Sequence, residues 1–187
     1  MPLFYHARKD IYLKFDTMIG MKSQLIIVFG LPGAGKSYVA NVVEQSFGYT
    51  PYNGDDDIPV EMKKALYEKK IITDGMRIAF IANMVISIKK LVQKKSKIVV
   101  HQAFIKEFMR RQLLDAIPAA QFILVQTDKA IREKRYMKRA YFNLGLDYLR
   151  HMSELFEPVR ISHDTIYNSK EGNREITGQL KRILKIT

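Results

Sequence analysis

The 187-residue chain contains no cysteine, which excludes a disulfide framework and any thiolate metal site. It also has no apolar stretch of the length needed to span a bilayer. No internal repeat or low-complexity linker divides it, so its length fits one domain with a sizeable core. Acidic residues are scarce: 19 Asp and Glu stand against 31 Lys and Arg, a formal net charge of +12. Such a surface favours anions, whether a nucleotide, a carboxylated or phosphorylated small molecule, or nucleic acid. Residues Met1 to Gly20 mix charged and aromatic side chains and lack the apolar core and small-residue cleavage site of a secretory signal. They read as an N-terminal extension of a single domain over 21–187, either an added strand or sequence ahead of a start at Met21. A cytoplasmic location is the expectation that follows.

What is present is concentrated in eight residues. Gly30-Leu31-Pro32-Gly33-Ala34-Gly35-Lys36-Ser37 has the spacing G-x-x-x-x-G-K-S directly after the apolar run Leu25 to Phe29. A buried strand ending at Phe29 would hand the chain to glycines that let it curl, turning backbone N–H groups inward to receive phosphate oxygens. Tyr38 follows and opens a helix to Phe47, whose N-terminal dipole points at the same phosphates, with Gly48 as its C-cap. Lys36 supplies a point charge to the outer phosphates and Ser37 a hydroxyl to Mg²⁺. ATP and Mg²⁺ are therefore the expected ligands.

Beyond the loop, apolar runs alternate with helical periodicity, the pattern of a parallel sheet covered on both faces by helices. The expected fold is an α/β three-layer sandwich of the P-loop kinase kind with a helical lid over about 129–145. Strands are expected at 50–53, 97–101, 121–126 and, last, 160–162. Helices are expected at 60–69 with Pro59 at its first position, at about 75–93, and at 106–116, 130–139, 144–156 and 174–186. In the helix over 75–93 the apolar face is read as Ile78, Ile81, Ala82, Val85, Ile88 and Val92. Thr127 or Asp128 would cap the helix at 130–139.

Phosphoryl transfer needs a positioned triphosphate, a metal, an acceptor held in line and positive charge on the migrating group. Asp55, Asp56 and Asp57 follow the second strand, at the edge where parallel sheets bind ligands. Adjacent carboxylates repel, so a metal or an acceptor hydroxyl is a fitting partner. Asp55, assisted by Asp56, is the candidate base, and Asp55 is also a candidate for metal and substrate. An acidic turn capping the next helix is the structural alternative. Asp74 and Arg77 open the long helix at 75–93, where Arg77 would clamp a carboxylate or phosphate in bidentate fashion. From Lys129 to Arg139 six basic residues face one acid, an arrangement that a phosphate would neutralise under a closing lid. Arg132, Arg135 and Arg139 share one helix face, Lys134 and Lys138 another. Ser162-His163-Asp164 is no hydrolytic triad, because sequential neighbours on a strand face opposite ways. His101, ending the third strand, reads as a packing or hydrogen-bonding residue within reach of the site.

These residues resemble the gluconate kinase family, relatives of shikimate kinase among the nucleoside-monophosphate-kinase-like P-loop kinases, over 24 to about 158. Asp55 and Asp56 before Pro59 resemble its paired aspartates, Asp74 and Arg77 its substrate segment, and Lys134 and Lys138 its lid cations. Tyr141-Phe142 stands where the family has His-Phe, and Leu155-Phe156-Glu157-Pro158 resembles its Leu-Glu-Pro ending. A register one residue later selects Arg135 as the catalytic lid cation and Arg139 as the nucleotide contact. Departures fall at positions that line the family's acceptor pocket: Ile58 for a histidine, Met76 for an aspartate, and the stretch His101-Gln102-Ala103 for a serine. The resemblance implies ATP-dependent phosphorylation of a hydroxyl on a small anionic metabolite, such as the sugar acid gluconate. Two alternatives remain: a polynucleotide 5′-hydroxyl kinase, since Asn53-Gly54-Asp55-Asp56 also resembles that family's strand-end aspartates, and a nucleotide-binding regulatory protein with weak turnover.

Overall fold

A computed structural model of the chain describes residues 24–139, 144–170 and 172–186; the expected N-terminal extension and Tyr141-Phe142 lie outside them. Five parallel strands, β1 (Gln24–Phe29), β2 (Thr50–Asn53), β3 (Lys97–Gln102), β4 (Gln121–Gln126) and β5 (Asp164–Tyr167), form one sheet in the order β2-β3-β1-β4-β5. Strand β1 is central and its last five residues are buried, as the apolar run demands of a strand covered on both faces.

Alternate residues of the strands feed two separate cores. Leu25, Ile27 and Phe29 of β1 join Ile98 and Val100 beneath α3 (Asp74–Val92) and α4 (Glu107–Ala116). Ile26 and Val28 join Val99 and Val125 beneath α1 (Lys36–Phe47) and α7 (Asn173–Ile183). The remaining helices are α2 (Val60–Tyr67), α5 (Lys129–Met137) and α6 (Leu146–Glu154), with a 3₁₀ turn over Gly54–Asp57 after β2. This is the expected three-layer sandwich.

Several local expectations are corrected. The last strand is Asp164–Tyr167, not 160–162. Ile161 is buried in the core, but pairing with β4 begins only at Ile123↔Asp164, where Gln121 Nε2 also donates to the Asp164 carboxylate at 2.9 Å. A polar Asp at the start of the strand masked it in the sequence. Pro59 is the N-cap of α2, with ψ 151°, rather than its first helical residue. Helix α1 starts at Lys36, two residues early, because Gly35 takes the left-handed conformation (φ 90°) that turns the loop into the helix. In α3 the buried face is Phe80, Ile81, Met84 and Ile88, whereas Ile78 is 49% exposed; the apolar residues on both sides blurred the phase of the sequence reading.

Candidate active site

The eight-residue loop sits at the carboxyl end of β1 and its backbone is held in place. Lys36 Nζ donates to Leu31 O at 3.1 Å, while Ala34 O accepts from Thr127 Oγ1 and Asn168 Nδ2, both at 2.9 Å. Leu31 O also accepts from Ala34 N at 3.2 Å, so the loop is braced from within at Leu31 and from outside at Ala34. Two glycines cannot be replaced without disturbance. A Cβ on Gly33 (φ 83°) would stand 2.5 Å from the Arg132 carbonyl, and one on Gly35 would collide with the Asn168 side-chain amide. The loop is thus clamped between α5 and the segment after β5, a cradle that any side chain would fill.

Lys36 is 9% exposed. Burial, followed by the guanidinium groups of Arg139 and Arg132 and against the attraction of Asp55, pushes its ammonium down to about 7. A charge held so far below its ordinary range is one that an incoming phosphate would stabilise. His101 lies beside it, its Nδ1 3.4 Å from Ser37 Oγ. Burial first and then Lys36 lower the His101 pKa, so the imidazole is neutral near pH 7, a hydrogen-bonding residue as expected.

A cavity of about 140 Å³ runs from this loop along the carboxyl ends of β1 and β3 to α2, α3 and α6. Lys36, Ser37, Asp55, Arg77, His101, Gln102 and Arg139 supply its polar lining. Asp55 is oriented by Gln102, whose Nε2 donates to Oδ1 at 2.8 Å. Neither Asp56 nor Asp57 lines it; both face a separate depression beside α2 and α3. Asp57 is structural, accepting from Tyr52 Oη at 2.6 Å and Ser87 Oγ at 2.7 Å. Of the three adjacent acids, Asp55 enters the cleft, Asp57 is tied into packing, and Asp56 lines only the outer depression.

Arg77 is 7% exposed, donating to Ile72 O at 2.6 Å and to Asp74 Oδ1 at 3.0 Å. It lines both the cleft and an outer groove, while Asp74 lines only the groove. The Thr73 hydroxyl caps α3 by accepting from Met76 N at 3.3 Å, which sets the turn that buries Arg77. Of the three acceptor-pocket departures, Ile58 and His101-Gln102-Ala103 line the cleft, whereas Met76 does not.

The basic helix α5 presents its arginines to the loop and its lysines to solvent. Lys134 and Lys138 are exposed. Arg139, expected on the same helix face as Arg132 and Arg135, lies beyond the helix end at Met137; it lines the cleft but is exposed like the lysines. Arg132 is buried, with Nη1 2.9 Å from Ser153 Oγ on α6. Arg135 Nη1 donates to Asn168 O at 2.6 Å behind Gly35 and does not line the cleft. Tyr38, one turn into α1, is 39% exposed.

Other basic clusters lie elsewhere. Lys89 and Lys90 lie in the last turn of α3, Lys94 and Lys95 follow it, and Lys97 begins β3; Lys97 and Lys185 line a depression with Gln24 and Gln121, the first residues of β1 and β4. These charges gather at the amino ends of the strands, away from the phosphate loop.

No protein-family model matches the chain, and no curated protein matches it in sequence. Solved structures do. A sugar kinase from Janibacter sp. HTCC2649, solved without ligand, superposes with a TM-score of 0.75 at 16% identity, covering 88% of this chain and 96% of that one. A gluconokinase from Sinorhizobium meliloti 1021 superposes with a TM-score of 0.71 at 22% identity, covering 88% and 95%. The fold is that of a P-loop kinase. A shikimate kinase from Acinetobacter baumannii, in complex with shikimate, extends the likeness at a TM-score of 0.55 and 17% identity, covering 90% and 97%. Within the P-loop kinase fold, Thr127 and Asn168 are the residues beside the loop that sequence reasoning missed, and for Gln102, flagged only as a departure, it missed the bond to Asp55. Gln102 ends a strand beside the cleft, which is a signal that was available. Asn168 follows β5, so misplacing that strand hid it. Among the described residues no helix is long and apolar enough to cross a membrane.

Proposed function

We propose that this P-loop kinase fold transfers the γ-phosphoryl group of ATP to a hydroxyl of a small anionic metabolite. The observation that carries the reading is the joint lining of one cleft by Lys36 and Ser37 of the phosphate loop, by Asp55 held at 2.8 Å by Gln102, and by Arg77. Each requirement of phosphoryl transfer then has a residue.

Lys36 and the loop amides hold the outer phosphates. A bound triphosphate keeps the Lys36 ammonium charged above pH 7. Ser37 and Asp55 are hard oxygen donors on one wall, a set that suits Mg²⁺, which takes one or two protein oxygens and completes its shell with phosphate and water. When bound, Mg²⁺ would supply neutralisation of the triphosphate charge. Asp55 accepts the proton of the acceptor hydroxyl as that oxygen forms its bond to the γ-phosphorus. The bond from phosphorus to the bridging oxygen breaks, and ADP leaves with the electron pair. Arg139 meets the charge on the migrating group, Arg132 and Arg135 fix α5 against the loop, and Arg77 takes the acceptor's anionic group. Asp56 and Asp74 have no direct part in this account.

A sugar acid such as gluconate is the acceptor that the resemblance implies. The test is ADP release by purified protein with ATP and Mg²⁺ against gluconate, other sugar acids, shikimate, nucleosides and a 5′-hydroxyl oligonucleotide, at two salt concentrations. Turnover of a small acid with a shallow salt dependence supports the proposal. Turnover of the oligonucleotide alone, falling steeply with salt, replaces it with a polynucleotide kinase. Tight ATP binding without any acceptor replaces it with a regulatory role.

A further inference from the structure

The far end of the cleft is apolar. Ile58, Met62, Leu66, Phe80, Phe104 and Tyr148 wall it, and Ile58, Leu66, Phe80 and Phe104 are buried. Its polar groups stand at the two ends. Asp55 and Gln102 lie toward the phosphate loop, and Arg77 stands where the cleft meets the outer groove. Burial pushes the Tyr148 phenol up to about 12, as a water-poor wall would.

A sugar acid carries a hydroxyl on almost every carbon, and each one taken from water needs a partner. The walls between Asp55 and Arg77 are mainly hydrocarbon and thioether side chains, with the phenols of Tyr136 and Tyr148 among them, and the Tyr136 hydroxyl already accepts from Leu144 N at 3.2 Å. The cavity offers about 140 Å³ with its phosphate end included. An apolar cavity of about 150 Å³ elsewhere takes one benzene ring, so a body of about that size fills the cleft up to where it opens into the outer groove. We infer that the acceptor is an acid with a single reacting hydroxyl and an apolar, ring-sized body, its hydroxyl at Asp55 and its anionic group at Arg77, in place of a polyhydroxylated acid. This rests on the kinase reading above and revises its acceptor. The chemistry is unchanged: the oxygen–hydrogen bond of the acceptor breaks toward Asp55, the oxygen–phosphorus bond forms, and ADP departs.

The experiment compares 4-(hydroxymethyl)benzoate and 3-(hydroxymethyl)benzoate with gluconate and shikimate. It reads ADP release with ATP and Mg²⁺ and, separately, calorimetric binding of each acid to the full-length protein without nucleotide. The expected result is a kcat/KM for the better apolar acid at least about 100-fold above gluconate, since an apolar pocket rejects an added hydroxyl by roughly that factor. Ile58→Asn, which places a hydrogen-bonding group in the wall, should narrow the ratio by about 10-fold. Preference for gluconate or shikimate overturns the inference and leaves the kinase reading standing. Binding of an apolar acid, weakened by Arg77→Met, with no ADP release keeps the acceptor class and overturns the kinase reading. Failure of all four acids to bind or turn over overturns the inference.

Discussion

Arg110 provides the sharpest stability prediction. Its side chain is fully buried, and all five guanidinium N–H donors are used. Nε donates to Phe104 O at 2.9 Å; Nη1 to Glu107 Oε2 at 2.7 Å and Pro158 O at 3.1 Å; Nη2 to Ile105 O at 3.1 Å and Glu157 O at 2.9 Å. The plane stacks on Phe156 at 4.9 Å and reaches the ring of Phe29 at 5.7 Å. Arg110→Met keeps much of the volume, removes every one of these bonds, strands the carbonyls of Phe104, Glu157 and Pro158 while Ile105 O keeps Glu157 N at 2.9 Å, and leaves the nearly buried Glu107 carboxylate with only Arg160 N at 3.2 Å and the more exposed Arg111 at 3.5 Å. Breaking a buried ion pair from one side costs about 3–5 kcal/mol. Stranded carbonyls add about 1–3 kcal/mol each where water cannot reach them. Against a total stability of about 5–15 kcal/mol, the variant should lose at least about 3 kcal/mol. With a urea slope of about 2 kcal/mol per molar for a chain of this size, the midpoint should fall by at least about 1.5 M. Glu107→Leu combined with Arg110→Met should recover part of the loss, because the uncompensated charge is gone. A loss under about 1 kcal/mol for the single variant would refute the reasoning.

Three further predictions concern the site. Gly35→Ala forces a side chain into left-handed backbone and against Asn168; thermal denaturation should show a loss of about 1–3 kcal/mol, with the stabilisation normally given by ATP largely abolished. Because the folded Lys36 pKa is lowered to about 7 from 10.5, the folded protein binds fewer protons than the unfolded chain between those values. This group's contribution to stability therefore rises with pH across that window. Nucleotide restores the charge, so calorimetry in buffers of different ionisation enthalpy at about pH 8.5 should detect proton uptake on ATP binding, absent in Lys36→Met. Gln102→Leu removes the hydrogen bond that orients Asp55 and should lower kcat by about 10-fold with ATP affinity unchanged, since a misplaced base loses rate rather than nucleotide contacts.

The segment after α6 shows how far the sequence could be read. Leu155-Phe156-Glu157-Pro158 resembles a family ending, and nothing in its local sequence implies a physical role. In the structure Glu157 caps α4 from fifty positions away, accepting from Glu107 N at 2.7 Å and Lys106 Nζ at 3.0 Å, while its carbonyl and that of Pro158 hold Arg110. The Glu107 amide, ahead of Lys106, holds the Glu157 carboxyl below the usual carboxylate range. Contacts of that span have no local signature. The phosphate loop was legible because its function and its backbone turn both require particular residues at fixed spacing. Sheet and layers were legible because strands covered on both faces need apolar runs. By contrast, Asp55, Asp56 and Asp57 are identical in type, and only the 3₁₀ turn decides which one enters the cleft. The lid arginines were ambiguous for a related reason: periodicity defines two faces of α5, and the contact of Arg132 with Gly33 decides which one meets the loop.

The central claim is that Asp55 and the phosphate loop form one phosphoryl-transfer site. It is tested most directly by Asp55→Asn, measuring nucleotide affinity and phosphoryl transfer on the same preparation. The account predicts ATP affinity, measured without Mg²⁺, within about 2-fold of the parent, and transfer with Mg²⁺ reduced by at least about 10²–10⁴-fold, the range contributed by a positioned general base. Transfer within about 3-fold of the parent would contradict it.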